Sequence, residues 1–219
     1  MERRDFVTGA AAAVLFAACK RKEEEEEDVG AVEDLMREHG VLRRALVVYR
    51  ESATRLRADA ASVPPDALTR TAKLFRTFGE DYHERAVEEA YVLPKIDPAL
   101  AAAIKAQHDR GRAIQDWLVA VLGAGKIGAR AQDVAKVLDG FARMYETHAA
   151  REDTIVFPAW KKALGEKAVH EMGERFEDIE KKTLGPEGFE HAEKEMTAIE
   201  QSLGLSDLRF FDAPAPPQA

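Results

Sequence analysis

The chain has 219 residues, of which 46% are hydrophobic and 33% are charged, and its formal net charge at pH 7 is −8. A chain of this length and composition can bury a sizeable core, whereas its acidic balance, without a basic stripe, argues against nucleic-acid binding. The sequence also lacks a glycine-rich phosphate loop after a strand and a Ser or Cys nucleophile with a plausible base, so its chemistry must come from another kind of site.

The N-terminal region predicts an export signal. Arg3 and Arg4 precede an apolar run, residues 10–18, which is too short to span a bilayer as a mature helix. The twin arginines resemble the export signal of folded proteins, and the residues before Cys19 resemble a bacterial lipoprotein cleavage site. We therefore predict an exported protein that a lipidated Cys19 holds on a membrane, facing the periplasm or the cell surface. The alternative is an incidental cysteine in a frayed terminus, and a single cysteine allows no intrachain disulfide.

The first predicted helix carries a histidine where an apolar residue is expected. Positions three and four apart share one face of an α-helix, and His39 lies between Leu35 and Leu42 on the apolar stripe. Burying a polar group without a partner costs roughly 2–7 kcal/mol. A bound cation is the simplest compensation, although any one such histidine taken alone would more often be a hydrogen-bonded core residue.

The second predicted helix contains a shift of register. His83 lies beside its apolar stripe, but Glu88 is five residues farther on and lies well round a regular α-helix. The matching segment later in the chain has its histidine and glutamate four residues apart, so one extra residue must be absorbed. We predict a π-bulge between Tyr82 and Glu88, a device that is common at functional sites.

The third and fourth predicted helices repeat this pattern. His108 follows Ile104 on the stripe of the third helix, and His148 with Glu152 occupies the stripe of the fourth. Several histidines at core positions, each pair accompanied by a carboxylate, favour a metal site over separate core histidines.

Two further histidines serve as internal controls. His170 and His191 are each followed four residues later by a glutamate, but both lie about 100° away from the apolar stripes of their helices, which we place at about 166–184 and 189–203. We therefore predict that these two histidines lie on solvated faces.

The spacing from His39 to His108 is close to that from His83 to His148, so two helical hairpins are predicted to be pseudo-copies. Short connections make neighbouring helices antiparallel. We predict an all-α fold, an up-down four-helix bundle with the four histidines at one level, covered by a C-terminal helical pair. The predicted divisions are a signal peptide (1–18), a charged tether (19–28), the bundle (29–160), the C-terminal helices (161–211) and a disordered tail (212–219).

Short motifs in this order carry a family resemblance. They are Glu38-His39, Tyr82-His83-Glu84, Glu88-Glu89, Leu93-Pro94, His108, His148 with Glu152, and Phe157-Pro158. Together they resemble the hemerythrin-like, or HHE cation-binding, domain over residues 31–160, and the C-terminal helices resemble the region that follows in bacterial members.

The resemblance implies a non-haem di-iron centre that binds dioxygen or responds to oxygen, peroxide or nitric oxide. The four histidines would be terminal ligands, and Glu88 and Glu152 would bridge two irons. Glu84 stands where many members have another histidine, which puts reversible oxygen transport in doubt. The predicted metal ligands are His39, His83, Glu84, Glu88, His108, His148 and Glu152.

Three functions remain open at this point. The first is a di-iron protein that captures or senses dioxygen or a related molecule, rather than a dedicated enzyme. The second is a di-iron oxidase, peroxidase or iron-handling protein, because more carboxylate favours oxygen activation. The third is a structural helical lipoprotein whose site holds zinc or nothing, since mixed imidazole and carboxylate ligands suit several metals. Tyr82 and Tyr145 are either hydrogen-bond donors to the site or ordinary core aromatics.

Overall fold

The computed structural model describes residues 30–125 and 127–217, so the predicted signal peptide, tether and Cys19 lie outside the described residues. Within those ranges the chain is helical and contains no β-strand, which confirms the predicted all-α class. The helices are α1 (Ala31–Ala58), α2 (Pro65–Leu74), α3 (Pro98–Gly123), α4 (Ala131–Arg151), α5 (Phe157–Leu164), α6 (Glu166–Thr183) and α7 (Gly188–Leu203). Short 3₁₀ segments lie at Leu93–Lys95, Gly128–Arg130 and Leu208–Phe211.

Two of the helical rods change register along their length. α2 continues without interruption into a π-helical segment, Phe75–Val92. α4 continues into a second, shorter π-helical segment, Glu152–Val156, which leads directly into α5. The fourth rod of the bundle therefore runs on to Leu164, four residues past the boundary predicted at 160.

The helix ends follow from local sequence. Pro65 and Pro98 each occupy the first turn of a helix, where their missing N–H groups are not needed. The side chain of Asp97 accepts a hydrogen bond from the backbone N–H of Leu100 and caps the start of α3. α7 ends at Gly204, which has a φ of 69°, a left-handed conformation that glycine adopts without strain.

The bundle consists of four rods. They are α1, α2 with its π-helical segment (the α2 rod), α3, and α4 with its π-helical segment and α5 (the α4 rod). α1 packs along α4, and α3 packs against both the α2 rod and α4. Aromatic rings join the rods in the core: Phe141 of α4 makes edge contacts with Tyr49 of α1 and with Phe75, at centroid separations of 5.6 and 4.8 Å. Burial of these rings contributes to the hydrophobic stabilisation of the bundle.

The C-terminal hairpin, α6 and α7, covers the side of the bundle formed by α1 and the α2 rod. Phe176 of α6 stacks on Trp160 of α5 with ring centroids 5.8 Å apart. Arg44 of α1 forms a two-point hydrogen-bonded ion pair with Glu200 of α7. Residues 212–217 have no regular secondary structure, and the disorder predicted for the tail stays a prediction. Among the helices of the described ranges, none combines the length and the apolar character needed to cross a bilayer.

Candidate metal centre

The π-helical segments bring the histidines and glutamates into line. A π-helix joins residues five apart by hydrogen bonds, so His83 and Glu88, which are five residues apart, fall one turn from each other. The predicted bulge between Tyr82 and Glu88 lies inside this segment, which is longer than the sequence indicated. The second segment, beginning at Glu152, was not predicted.

The four histidines form two close pairs in the middle of the bundle. The Nε2 atoms of His39 and His83 lie 3.0 Å apart, and those of His108 and His148 lie 3.2 Å apart. All four rings are buried, with at most 3% of their surface exposed. The pairing is the one expected from the hairpin repeat, with one ring from each helix of a hairpin.

Two buried carboxylates lie between the pairs. Glu88 places Oε1 3.5 Å from Nε2 of His83 and Oε2 3.3 Å from Nε2 of His108. Glu152 places Oε2 3.4 Å from Nε2 of His39 and 3.0 Å from Nε2 of His148. The four carboxylate oxygens are buried and accept no hydrogen bond from the described part of the chain. Glu88 and Glu152 therefore each link one histidine pair to the other.

Every ring is held from its outer side through Nδ1. His39 donates to Asp153 at 2.6 Å and His83 to Glu38 at 2.5 Å. His108 donates to Glu89 at 3.0 Å, and His148 to Gln107 at 2.9 Å. These bonds place the Nδ1 protons outward and leave the Nε2 lone pairs facing the centre, which is the arrangement of metal-binding histidines.

The sequence reasoning assigned no role to these outer partners, although each adjoins a predicted ligand. Glu89 and Asp153 directly follow the two linking glutamates, and Glu38 and Gln107 directly precede the first histidine of each hairpin. The signal that could have found them is this adjacency, repeated in both hairpins.

Glu84 lies to one side of the converging groups. One of its carboxylate oxygens accepts a hydrogen bond from the Tyr145 hydroxyl, and the other lies 3.0 Å from Nη1 of Arg112. Its carboxylate is also close to His108 and Glu89. Six of the seven predicted ligands thus surround the midpoint, and Glu84 reaches only the side of the His108 pair.

Both tyrosines singled out from the sequence donate hydrogen bonds to buried carboxylates. The Tyr82 hydroxyl lies 2.7 Å from Oε1 of Glu38, and the Tyr145 hydroxyl donates to Glu84. A Cβ at Gly111 would lie 2.2 Å from the Tyr145 oxygen, so the close approach of α3 to this hydroxyl requires glycine. The tyrosines are therefore hydrogen-bond donors as well as core aromatics.

The buried carboxylates of the centre are stabilised by positive charge close to them. Burial disfavours a charged imidazole, but the charge of Glu88 and the hydrogen bond to Glu38 outweigh it and raise the pKa of His83 well above its ordinary value. At His108 burial is likewise outweighed, by the neighbouring carboxylates of Glu152 and Glu88 and the hydrogen bond to Glu89, and the pKa rises to about 12. Burial raises the pKa of Glu152, yet the charge of His148 brings it well below its ordinary value. Protons can supply the compensating charge, and a bound cation would displace them.

The donor set fits a pair of metal ions. Two nitrogens about 2.1 Å from one ion and about 90° apart at it would lie about 3 Å from each other, close to the separation within each histidine pair. Each pair lies within reach of Glu88, and Glu152 joins the His108 pair. Carboxylate oxygens that are buried without a hydrogen bond gain their missing partner from a cation.

The two control histidines are exposed, as predicted. His170 lies on the outer face of α6 and His191 on that of α7. Glu195, four residues after His191, forms its ion pair with Arg70 of α2 at 2.7 Å. The same sequence spacing therefore exists in the C-terminal hairpin without a buried cluster around it.

Comparisons with known proteins agree with this geometry. The family model described as the hemerythrin HHE cation binding domain matches residues 30–160 and, in an overlapping second match, residues 99–203. Uncharacterized proteins of Mycobacterium tuberculosis and Mycobacterium bovis are each 43% identical to the chain over 190 residues, which is 84% of this chain and 74% of theirs. No solved structure matches the chain.

Proposed function

The chain belongs to the hemerythrin HHE cation-binding family, and on that premise we propose that it is a non-haem di-iron protein that binds or senses dioxygen or a related small molecule such as peroxide or nitric oxide. The observation that carries the proposal is the pairing of four buried imidazoles across two carboxylates that accept no hydrogen bond from the described residues.

Each histidine pair would hold one iron through its Nε2 atoms, and Glu88 and Glu152 would lie between the two ions. When bound, the iron pair supplies reversible electron transfer and affinity for small oxygen- or nitrogen-containing ligands. The protein supplies the rest. The outer hydrogen bonds fix the ring orientations, and Phe157, whose ring lies 5.5 Å from that of His39, helps to close the site from water.

A second function, oxidase or peroxidase, is favoured by the contacts of Glu84. Burial raises the pKa of this carboxyl above its ordinary value, against the charge of His108 and the hydrogen bond from Tyr145. The Tyr145 hydroxyl donates to one of its oxygens, and the guanidinium of Arg112 lies against the other. The hydrogen-bonded hydroxyl and carboxyl would supply a proton path beside the centre, as an oxidase or peroxidase with an electron donor requires.

The test is metal content with an optical spectrum, recorded on the purified protein before and after reduction and again after exposure to air. We expect about two irons per chain and oxo-to-iron charge-transfer bands that change on reduction. Full reversal when oxygen is removed supports binding or sensing, whereas decay with turnover of a donor supports the oxidase. Zinc, or no metal, contradicts both and leaves a structural role.

A matched pair of variants controls this measurement. His148→Ala removes a ring of the centre, whereas His191→Ala removes one exposed on α7. We expect the first to lose iron and the charge-transfer bands, and the second to retain both.

We also propose that the chain is exported and anchored through Cys19, which the sequence alone supports. Changing Arg3 and Arg4 to Lys should then keep the protein inside the cell, and Cys19→Ser should release an exported protein from the membrane fraction. Unchanged distribution of both variants would count against this localisation.

A further inference from the structure

We propose that the two metal positions differ in affinity, and that Glu38 and Gln107 set the difference, so that the His39–His83 pair binds its ion more tightly than the His108–His148 pair. This inference rests on the proposed function, because it requires that both pairs bind a metal. It concerns residues of this chain that lie outside the predicted ligand set.

The outer contacts of the first histidine are equivalent in the two hairpins. In both, the residue after the linking glutamate holds the first histidine of the other hairpin: Glu89 holds His108, and Asp153 holds His39. A basic residue four positions after each of these histidines pairs with that outer carboxylate, Arg112 with Glu89 and Arg43 with Asp153. The symmetry extends to the charges as well as to the rings.

The equivalence fails at the second histidine of each hairpin. His83 donates from Nδ1 to a carboxylate, Oε2 of Glu38, at 2.5 Å. His148 donates from Nδ1 to an amide oxygen of Gln107 at 2.9 Å. Glu38 and Gln107 hold corresponding positions, one residue before His39 and before His108.

A carboxylate and an amide act differently on a metal-binding imidazole. The carboxylate is charged and draws the Nδ1 proton toward itself, which raises the electron density and the basicity at Nε2. A neutral amide orients the ring but does this much less. Loss of such an outer partner typically changes metal affinity by about 10–100-fold, and we expect a difference of this order here.

The setting of Glu38 favours this role. Its Oε1 accepts the Tyr82 hydroxyl at 2.7 Å, which leaves Oε2 directed at His83. Both Glu38 and Tyr82 are buried, so the charge of Glu38 is poorly screened by solvent.

The basic residues act in the same direction. The side chain of Arg112, beside the His108 pair, is 11% exposed, whereas that of Arg43, beside the His39 pair, is 40% exposed. A buried positive charge disfavours a cation nearby more than a solvated one does. The ion pair between Arg112 and Glu84 offsets part of this effect, so the contrast between Glu38 and Gln107 is the main contribution.

The experiment is a titration of the full-length, metal-free protein with Co²⁺ without oxygen, followed by visible absorption and by calorimetry. For the wild-type protein we expect two binding steps whose dissociation constants differ by about 10–100-fold. Repulsion between two bound ions also separates the steps, so the decisive result is the effect of exchanging the two outer residues.

Three variants make that exchange. Glu38→Gln should weaken the first step by about 10–100-fold, and Gln107→Glu should tighten the second by a similar factor. The double variant, which keeps the total charge, should restore two separated steps. Glu193→Gln, on the exposed face of α7, is the control for charge alone and should change neither step.

The outcomes separate the inference from the proposed function. Two wild-type steps that respond equally to Glu38→Gln and Gln107→Glu, or respond to neither, overturn the inference and leave the di-iron proposal standing. Absence of Co²⁺ binding by the wild-type protein overturns both. If Glu38→Gln fails to fold, as judged by its helical circular dichroism, Gln107→Glu decides alone: a second step that does not tighten overturns the inference.

Discussion

The centre of the bundle and the C-terminal hairpin contain the same short motif in different surroundings. His148 and Glu152, like His191 and Glu195, are four residues apart on a helical rod. In the bundle both side chains are buried and converge with partners from the other rods, whereas His191 is exposed and Glu195 pairs with Arg70. The comparison shows that spacing places two groups on one face, but that the neighbours of that face decide whether they form a site.

The largest effect is expected from the linking carboxylates. Glu152→Gln keeps the side-chain volume but removes the charge that contacts both histidine pairs. Iron content should fall from about two per chain to below one, because ligand and charge compensation are lost together. Elemental analysis checks this, and Glu195→Gln, the equivalent change in the C-terminal hairpin, should leave the iron content unchanged. Equal loss in both variants would remove the distinction between the two regions.

The second-largest effect is expected from removal of the metal, which should lower the free energy of unfolding of the bundle. A ligand that binds only the folded chain adds roughly 3–4 kcal/mol at free concentrations about 100–1,000 times its Kd. Chemical unfolding with and without a chelator measures the difference. His148→Ala should reduce the response to the chelator, because the His39–His83 pair remains, and His191→Ala should retain it in full. A full response in His148→Ala would contradict the assignment of the His108–His148 pair.

A smaller effect on stability is expected from disrupting the close approach of α3 to Tyr145. Gly111→Ala should destabilise the protein by about 1–3 kcal/mol, because the new methyl group collides with the Tyr145 hydroxyl and displaces it from Glu84. Gly140→Ala is the control on α4, where a Cβ meets no atom within 4 Å, and it should stabilise the protein by roughly 0.5–1 kcal/mol. Thermal unfolding of the two variants would show opposite signs, and equal signs would contradict the close contact.

The smallest of these effects is expected from substitution of Glu80, and this effect depends on pH. Burial, with the nearby charge of Glu84, raises the pKa of Glu80 from 4.5 to about 8. The stability it contributes is fully present below about pH 4.5 and is lost as the pH rises through about 8. Glu80→Gln should therefore gain about 1–2 kcal/mol relative to the wild type between pH 6 and pH 9, measured by urea unfolding with a chelator present. The control Glu193→Gln changes an exposed residue and should not alter the slope of the unfolding free energy against pH. If that slope were the same in Glu80→Gln as in the wild type, the prediction would be contradicted.

The sequence was sufficient to predict the helices and the pairing of the histidines. Periodicity identified which residues of each helix face inward, and the repeat indicated which helices are equivalent. It also located the register shift near His83, because a five-residue spacing does not fit an α-helical face. The length of the π-helical segment, Phe75–Val92, depends on packing against other rods, which no local pattern records.

The outer partners could not be predicted in the same way. Whether Glu89 contacts His108, or Asp153 contacts His39, depends on the rotation of one rod against another. Glu84 illustrates the same limit, since its position after His83 resembles that of a ligand. Its actual contacts, Tyr145 and Arg112, come from helices far away in the sequence.

The exchange of contacts between the hairpins has a consequence for the biosynthesis of the protein. A nascent chain that has released only the first hairpin contains His39 and His83, but it lacks Asp153, which anchors one of these rings, and Glu152, which faces the same pair. The second hairpin likewise needs Glu89 of the first to hold His108. Neither half contains the complete set of ligands and outer partners, so the full centre can assemble only after both hairpins have been synthesised and docked. A cation held by that complete set would therefore mark a bundle whose synthesis is finished.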